Sequence, residues 1–319
     1  MKYAEIEGVR RPLSRIIQGT LRLGRGTQSE ALAWLDAVFE EGARAFDTAP
    51  VYSQGRSEAW LAAWLEATGA RESVVIIDKG AHPDGERQRV TPSDIAFDVT
   101  RSVGVLGSRI DLYLLHRDDP RVPVGEIIDC LNEQQRAGHI DAFGASNWTH
   151  ARLEAANTYA RRSRQRGFVA SSPELNLCEP VQTWPGCLSI GGPSGAAARA
   201  WYRECGLALL AWSPVAGGFL GGKFSPRSRL EPETPQARRV IEFYGSEANF
   251  ARLKRLLELA AQKGLTPSSL ALAYVASQSL NVFAVVGCEN VAEFGECVSG
   301  FDVELSAAEL AWLEQGVTA

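Results

Sequence analysis

The 319-residue chain has little that ties it to a membrane, a metal or a disulfide framework. No segment reaches the roughly 18 uninterrupted apolar residues of a membrane span. The start, Met-Lys-Tyr-Ala-Glu-Ile-Glu-Gly, lacks the apolar core of a signal peptide. Six cysteines (Cys130, Cys178, Cys187, Cys205, Cys288, Cys297) lie far apart with no C-x-x-C, so free thiols are expected rather than disulfides. Four histidines (His82, His116, His139, His150) show no H-x-x-x-H or H-E-x-x-H spacing, and no metal site is expected. No G-x-G-x-x-G follows a strand-like run, which argues against a Rossmann domain. No Pro/Gly/Ser-rich linker and no solenoid-type repeat divides the chain, so one domain over 1–319 is expected. The net charge is −5 and the arginines are interleaved with acids, which argues against a nucleic-acid partner. The longest basic run, Arg161 to Arg166, reads as the solvated end of a helix. A cytoplasmic protein without a membrane partner is the expectation.

What is present is a rhythm. Apolar, β-branched runs end in polar residues: Ala-Arg-Ala-Phe-Asp47-Thr-Ala-Pro-Val-Tyr52, Val74-Val-Ile-Ile-Asp-Lys79, and Ile110-Asp-Leu-Tyr-Leu-Leu-His116. Strand tip, helix, next strand tip is the order of a (β/α)₈ TIM barrel, in which carboxyl-terminal strand ends converge on one mouth. Asp47, Tyr52, Lys79 and His116 are therefore the candidate catalytic residues.

The remaining elements fit that order. A short N-terminal hairpin, residues 3–12, turns at Glu7-Gly8 and precedes a first strand near Ser14–Gly19. Ser29, Ser57, Thr91 and Thr149 are expected helix caps, Thr91 and Thr266 each followed by proline at the first helical position. Strand 6 is expected near Phe168–Asn176, an insertion over 178–193, strand 7 over Ala208–Trp212, helices over 246–263 and 267–278, strand 8 over Val282–Val286, and a helix from about Val291. A C-terminal helix opens on the capping box Ser306-Ala-Ala-Glu309.

The four candidates suggest proton transfer. A free phenol, with a pKa near ~10, is a poor acid at neutral pH. An ammonium beside it, here Lys79, lowers that value. Asp47 can hold Lys79 charged, and His116 can donate to a substrate oxygen, so the group can polarise a carbonyl and protonate the alkoxide that forms. No side chain delivers hydride, so an organic cofactor is required. The loop Gly217 to Lys223 matches most of a P-loop, but Phe224 stands where Ser or Thr should be, and that reading is rejected.

The chain resembles the aldo-keto reductase superfamily from about residue 14 to residue 300. The resemblance rests on Phe46-Asp47-Thr48-Ala49 with Tyr52, Gly55 and Glu58, on Lys79, on Asp111-Leu-Tyr-Leu-Leu-His116, and on Gly144-Ala-Ser146-Asn147. It implies an NAD(H)- or NADP(H)-dependent oxidoreductase that reduces an aldehyde or ketone, possibly a sugar-like carbonyl, or runs the reverse reaction. Tyr52 would be the general acid/base, tuned by Lys79 and Asp47, with His116 orienting the carbonyl. Cofactor contacts implied are Gly19, Thr20, Asp47, Ser146, Asn147 and Ser172, with Trp212 stacking on the nicotinamide. Ser213, Val215, Gly217 and Lys223 would lie at the pyrophosphate, and Gly287, Glu289, Glu293 and Cys297 at the adenosine end. Arg22, Arg117 and Trp148, with Tyr52 and His116, are the expected substrate contacts; Leu23 and Trp184 are further mouth-facing candidates. Ser172 and Cys297 depart from the family's glutamine and asparagine. Glu289 and Glu293 stand where relatives carry groups compatible with a 2′-phosphate, so the cofactor expectation leans to NAD(H). Some relatives of the fold serve as cofactor-sensing channel subunits, a regulatory alternative that does not need the full tetrad.

Overall fold

The structure is a computed structural model that describes residues 1–229, 232 and 234–316. The last three residues of the expected 1–319 span lie outside the described residues. Two units emerge: Met1–Ser172 with Gly287–Val291, and Pro173–Val286 with Ala292–Ala319. Strands Ile16–Gly19 onward are those of an eight-stranded closed parallel barrel, the expected fold class. No helix among the described residues is long and apolar enough to cross a membrane.

In the first unit, β1 (Tyr3–Ala4) pairs antiparallel with β2 (Leu13–Ser14). The hairpin thus closes beyond the expected 3–12, because Pro12 has no N–H to give to a ladder and pairing begins after it. The barrel strands of this unit are β3 (Ile16–Gly19), β4 (Ala45–Asp47), β5 (Val75–Gly80), β6 (Ile110–Leu115), β7 (Ile140–Ser146) and β8 (Ala170–Ser172). They pair in sequence order, each parallel to the next. β5 and β6 are buried at every position, as strands covered on both faces are. β8 is shorter than expected: Pro173 interrupts the ladder, and Glu174 makes only isolated bridges, to Ser189 and Trp212.

The helices of this unit are α1 (Gln28–Glu40), α2 (Arg56–Thr68), α3 (Pro92–Leu106), α4 (Val124–Arg136) and α5 (His150–Arg162). Thr91 and Thr149 cap α3 and α5 as expected. Two other caps differ. α1 starts at Thr27, which forms a capping box with Glu30, so Ser29 lies inside the helix. α2 follows Gly55, whose φ of 84° only glycine adopts freely. Ser57 is buried one residue into the helix, and its hydroxyl donates to Thr20 O at 2.8 Å.

The second unit holds α6 (Ala196–Cys205), β9 (Ala208–Trp212), α7 (Pro235–Tyr244), α8 (Glu247–Lys263), α9 (Pro267–Ala276), β10 (Val282–Val286), most of α10 (Val291–Phe301) and α11 (Ala307–Gln315). β9 and β10 pair in parallel. Thr266 and the Ser306–Glu309 capping box start α9 and α11 as expected. α7 is absent from the sequence reading, although Thr234-Pro235 carries the same cap-and-proline signal.

β7 and β8 approach so closely at Gly144 that a Cβ there would lie 2.2 Å from Ala170 O. A backbone carbonyl cannot swing aside as a side chain can. Gly144→Ala is expected to lower the unfolding free energy by about 2 kcal/mol or more, measured by urea titration; a loss below about 0.5 kcal/mol would contradict this packing.

Candidate active site

Strand register explains why three polar side chains share one face. Asp47 lies opposite Ile77 across β4 and β5, and Lys79 is two residues further along β5. Lys79 lies opposite Leu114 across β5 and β6, and His116 is two residues beyond Leu114. Side chains alternate with period two along a strand, so all three project to the same side. Tyr52 arrives from a 3₁₀ turn, Tyr52–Gly55, in which Ser53, Gln54 and Gly55 all have positive φ.

The centre of this group is Lys79. Its Nζ donates to Asp47 Oδ1 at 2.5 Å, to Thr48 O at 3.1 Å and to Tyr52 Oη at 3.1 Å. Tyr52 and His116 meet edge to face, ring centroids 5.8 Å apart. Lys79 and Asp47 are both buried. Burial pulls the Lys79 ammonium's pKa down, but Asp47 and Tyr52 together outweigh it and the net direction is up. Lys79 is therefore a permanent cation. Burial drives the His116 pKa well below the ordinary imidazole value, with Lys79, Arg117 and His82 adding to the effect. His116 is thus a neutral imidazole.

Tyr52 corrects one expectation. Lys79 does lower the phenol's pKa, but desolvation raises it by more, and Asp47 opposes Lys79 as well. The net direction is up, and Tyr52 holds its proton firmly at neutral pH.

At the tip of β7, Ser146 Oγ donates to Ser172 O at 2.8 Å, and Asn147 N–H donates to the same carbonyl at 3.2 Å. Asn147 has φ +64°, and its Nδ2 donates to Ser146 Oγ at 2.9 Å and to His116 O at 3.3 Å. Ser146, Asn147, Ser172 and His116 are thus brought together. Arg117 donates to His116 O at 2.8 Å. Thr20 Oγ1, Asp47 Oδ2, Thr48 Oγ1 and His116 Nδ1 are buried without a hydrogen-bond partner.

Other expected contacts fall elsewhere. Trp148 is not a substrate wall: it is fully buried, edge-on to Phe168, with Nε1 donating to Arg117 O at 3.1 Å. A ring at the first turn after a strand tip has an apolar layer beneath it to fill, and this one fills it. Arg22 forms an ion pair with Glu289 instead of standing open at the mouth. The pair borders a cavity of about 240 Å³ lined by Gln18, Gly19, Thr20, Leu23, Trp34 and others. Gly287, in the same loop as Glu289, is exposed.

In the second unit Trp212 ends β9 half-buried, its Nε1 buried without a partner. Ser213 follows with φ +53°, and Ser213 O accepts from Asn176 at 3.1 Å. Asn176 also donates to Glu174, which accepts from Tyr244 of α7. Val215 O accepts from Gly218 and Leu220, while Gly217 and Gly218 take positive φ. Lys223 is exposed, Glu293 is exposed on α10, and Cys297 is buried there. Trp184 is half exposed and stacks on Phe243 at 4.6 Å. Sequence reading missed His82, which the fold sets 4.9 Å from the His116 ring. It missed also Asp78, buried behind Lys79 and accepting its backbone N–H at 2.8 Å.

A model of the aldo/keto reductase family matches residues 15–316. The chain is 25% identical to the uncharacterized oxidoreductase YrpG of Bacillus subtilis over 96% of its length and 92% of that protein's. It is 26% identical to versiconal hemiacetal acetate reductase of Aspergillus parasiticus, over 99% and 96% of the two chains. A probable voltage-gated potassium channel subunit beta of Oryza sativa is 26% identical over 86% of this chain and 82% of that one. The crystal structure of the thermostable aldo-keto reductase Tm1743 with epalrestat superposes with a TM-score of 0.73 at 21% identity, over 98% of this chain and 99% of that one, a likeness of fold.

Asp78 yields a test by stability. Burial and the nearby Glu58 carboxylate push its pKa up to about 8, against an unfolded value near ~3.9. Between those values the folded protein binds the extra proton, so this group's contribution falls as pH rises through that window, by about 1.4 kcal/mol per pH unit at most. Asp78→Asn keeps an acceptor for the Lys79 N–H and is expected to flatten the fall in urea-unfolding free energy from pH 5 to 8. An unchanged slope would contradict a proton held on Asp78.

Proposed function

The chain belongs to the aldo/keto reductase family, and on that footing we propose that it interconverts a small aldehyde or ketone and its alcohol with a nicotinamide cofactor, Tyr52 acting as general acid. The observation that carries this is the Lys79 ammonium, 2.5 Å from Asp47 and 3.1 Å from the Tyr52 hydroxyl. Tyr52 keeps its proton until a stronger base develops beside it. That base is the alkoxide formed as the carbonyl is reduced. When the proton leaves, Lys79 stabilises the phenolate and Asp47 holds Lys79 in place. His116, neutral, donates an N–H to the carbonyl oxygen and polarises it. In the oxidative direction the same phenolate takes the proton back.

Bound cofactor supplies the hydride that no side chain can. The unpartnered oxygens at Thr20, Asp47 and Thr48 suit a ligand carrying hydroxyl and amide groups, and buried polar groups are otherwise paired in folded proteins. Ser146, Asn147 and Ser172 would hold the carboxamide, with Gly19 and Thr20 beside the cofactor. The family's glutamine is not needed to fix that tip, since Ser172 O already anchors Ser146 and Asn147. Trp212 is assigned the stacking platform. Ser213, Val215, Gly217 and Lys223 are assigned to the pyrophosphate, and Gly287, Glu293 and Cys297 to the adenosine. A channel-subunit role, the one the name of the Oryza sativa relative carries, has no need of a phenol, an ammonium and an imidazole on one face.

We assign NAD(H) as the preferred form. Arg22 is engaged by Glu289, and Glu293 in the first turn of α10 is an exposed carboxylate. A 2′-phosphate is usually met by Arg or Lys, whereas a carboxylate accepts from a free 2′-hydroxyl.

Tyr52→Phe is expected to cut kcat by about 100-fold or more while cofactor affinity, read by fluorescence quenching, stays within about twofold. Retention of more than about a tenth of the activity would remove Tyr52 from the role. Glu293→Arg is expected to move the NADH/NADPH ratio of kcat/KM toward NADPH by about tenfold; a wild type that prefers NADPH tenfold would reverse the assignment.

A further inference from the structure

His82 lies three residues beyond Lys79, and the chain between them is constrained. A Cβ at Gly80 would sit 1.9 Å from Tyr113 Oη and 2.7 Å from Asp98 Cβ, so only glycine fits. Ala81 is fully buried with φ +58°, a conformation L-residues avoid. Its N–H donates to Asp98 Oδ2 at 2.8 Å, and Asp98 Oδ1 accepts from Arg89 at 2.6 Å. Strain of this kind persists where surrounding groups over-determine it. Here it turns the chain so that the half-buried His82 ring meets the His116 ring at 4.9 Å and 73°.

The tautomer of His82 follows from one contact. Nδ1 lies 2.8 Å from the Pro83 carbonyl oxygen. A carbonyl only accepts, so Nδ1 carries the proton. Burial lowers the ring's pKa below the usual value, so the ring is neutral near pH 7. Nε2 is then a bare acceptor, and no described residue donates to it.

We infer that His82 is a specificity-determining residue whose Nε2 accepts from a hydroxyl on the carbon next to the reacting carbonyl, making α-hydroxy aldehydes and ketones the substrate class. The inference rests on the reductase reading above. His116 faces the carbonyl oxygen, so the ring beside it meets the next position out on the substrate. Arg117 and Lys79 offer only donors; the His82 Nε2, like the unpartnered oxygens of Thr20, Asp47 and Thr48, calls for a donor, and its ring is set against His116. An amine would supply one, but its charge would oppose those of Lys79 and Arg117. A hydroxyl has no such penalty. A methyl in its place displaces water from the imidazole acceptor and leaves it unpaired.

The test uses two ketones of nearly equal shape, 1-hydroxypropan-2-one and butan-2-one, with saturating NADH and then NADPH. Wild-type kcat/KM is expected to favour the hydroxyketone by about tenfold or more. His82→Leu is expected to bring the ratio near one, through loss on the hydroxyketone with butan-2-one changed less than about threefold. His82→Gln, which restores an acceptor, is expected to recover part of the preference. Equal wild-type efficiency on the two ketones, or a ratio unchanged in His82→Leu, overturns the assignment and leaves the reductase reading standing. No turnover of either ketone with either cofactor overturns both.

Discussion

One buried cation organises this site. Lys79 has left water, and its ammonium is satisfied by a carboxylate oxygen, a backbone carbonyl and a phenol. Taking an ammonium out of water costs several kcal/mol, and it is tolerated only where partners are fixed around it. The consequence runs both ways. Asp47, Thr48 and Tyr52 hold the charge, and the charge holds Tyr52 at a defined place beside His116. Leaving the cation unpaired by removing Asp47 costs about 3–5 kcal/mol on general grounds. The arrangement therefore couples stability to the proposed chemistry: the cation assigned to stabilise the phenolate is also one the fold cannot leave bare.

Behind Lys79 a second polar layer fixes the backbone of β5 and the turn after it. Asp78 accepts the Lys79 N–H, and Asp98 of α3 accepts the Ala81 N–H. Glu58 of α2 is fully buried and held by Ser102 at 2.8 Å and Arg101 at 3.2 Å. Hydrophobic residues would fill this space at lower electrostatic cost. Carboxyl oxygens can do what they cannot, which is to pin individual N–H groups through a glycine that admits no Cβ and an alanine in a left-handed turn. The result is a short, strained path from the cation at Lys79 to the imidazole at His82.

Much of this was legible in the sequence because strand periodicity and tip chemistry coincide. Asp47, Lys79 and His116 end apolar runs, and period two then places them on one face; Tyr52 follows five residues after Asp47. Thr91, Thr149, Thr266 and Ser306 read correctly as caps because each precedes an uninterrupted helical pattern. What was not legible depended on competition between forces or on distant contacts. Lys79 lowers the Tyr52 pKa as its charge requires, yet desolvation decides the sign, and desolvation is a property of the packed site. Trp148 neighbours Asn147 in sequence, but an indole can fill a buried layer as readily as line a mouth, and only packing chooses. Arg22 and Glu289 are far apart in the chain, and nothing local pairs them. α7 was hidden by its polar, arginine-rich composition after a glycine-rich loop. His82 became a neighbour of His116 through a left-handed alanine that no propensity predicts.

If Tyr52 and Lys79 act as one unit in the proposed reaction, a double-mutant cycle on the hydride-transfer rate measures their coupling. Single-turnover rates would be compared for wild type, Tyr52→Phe, Lys79→Met and the double variant, with circular dichroism to show that each is folded. Residues that act together lose their function together. Each single variant is expected to slow the step by about 100-fold or more, and the double variant to be no slower than the worse single one. Losses that multiply, each substitution costing the same in the presence or absence of the other, would contradict the coupling.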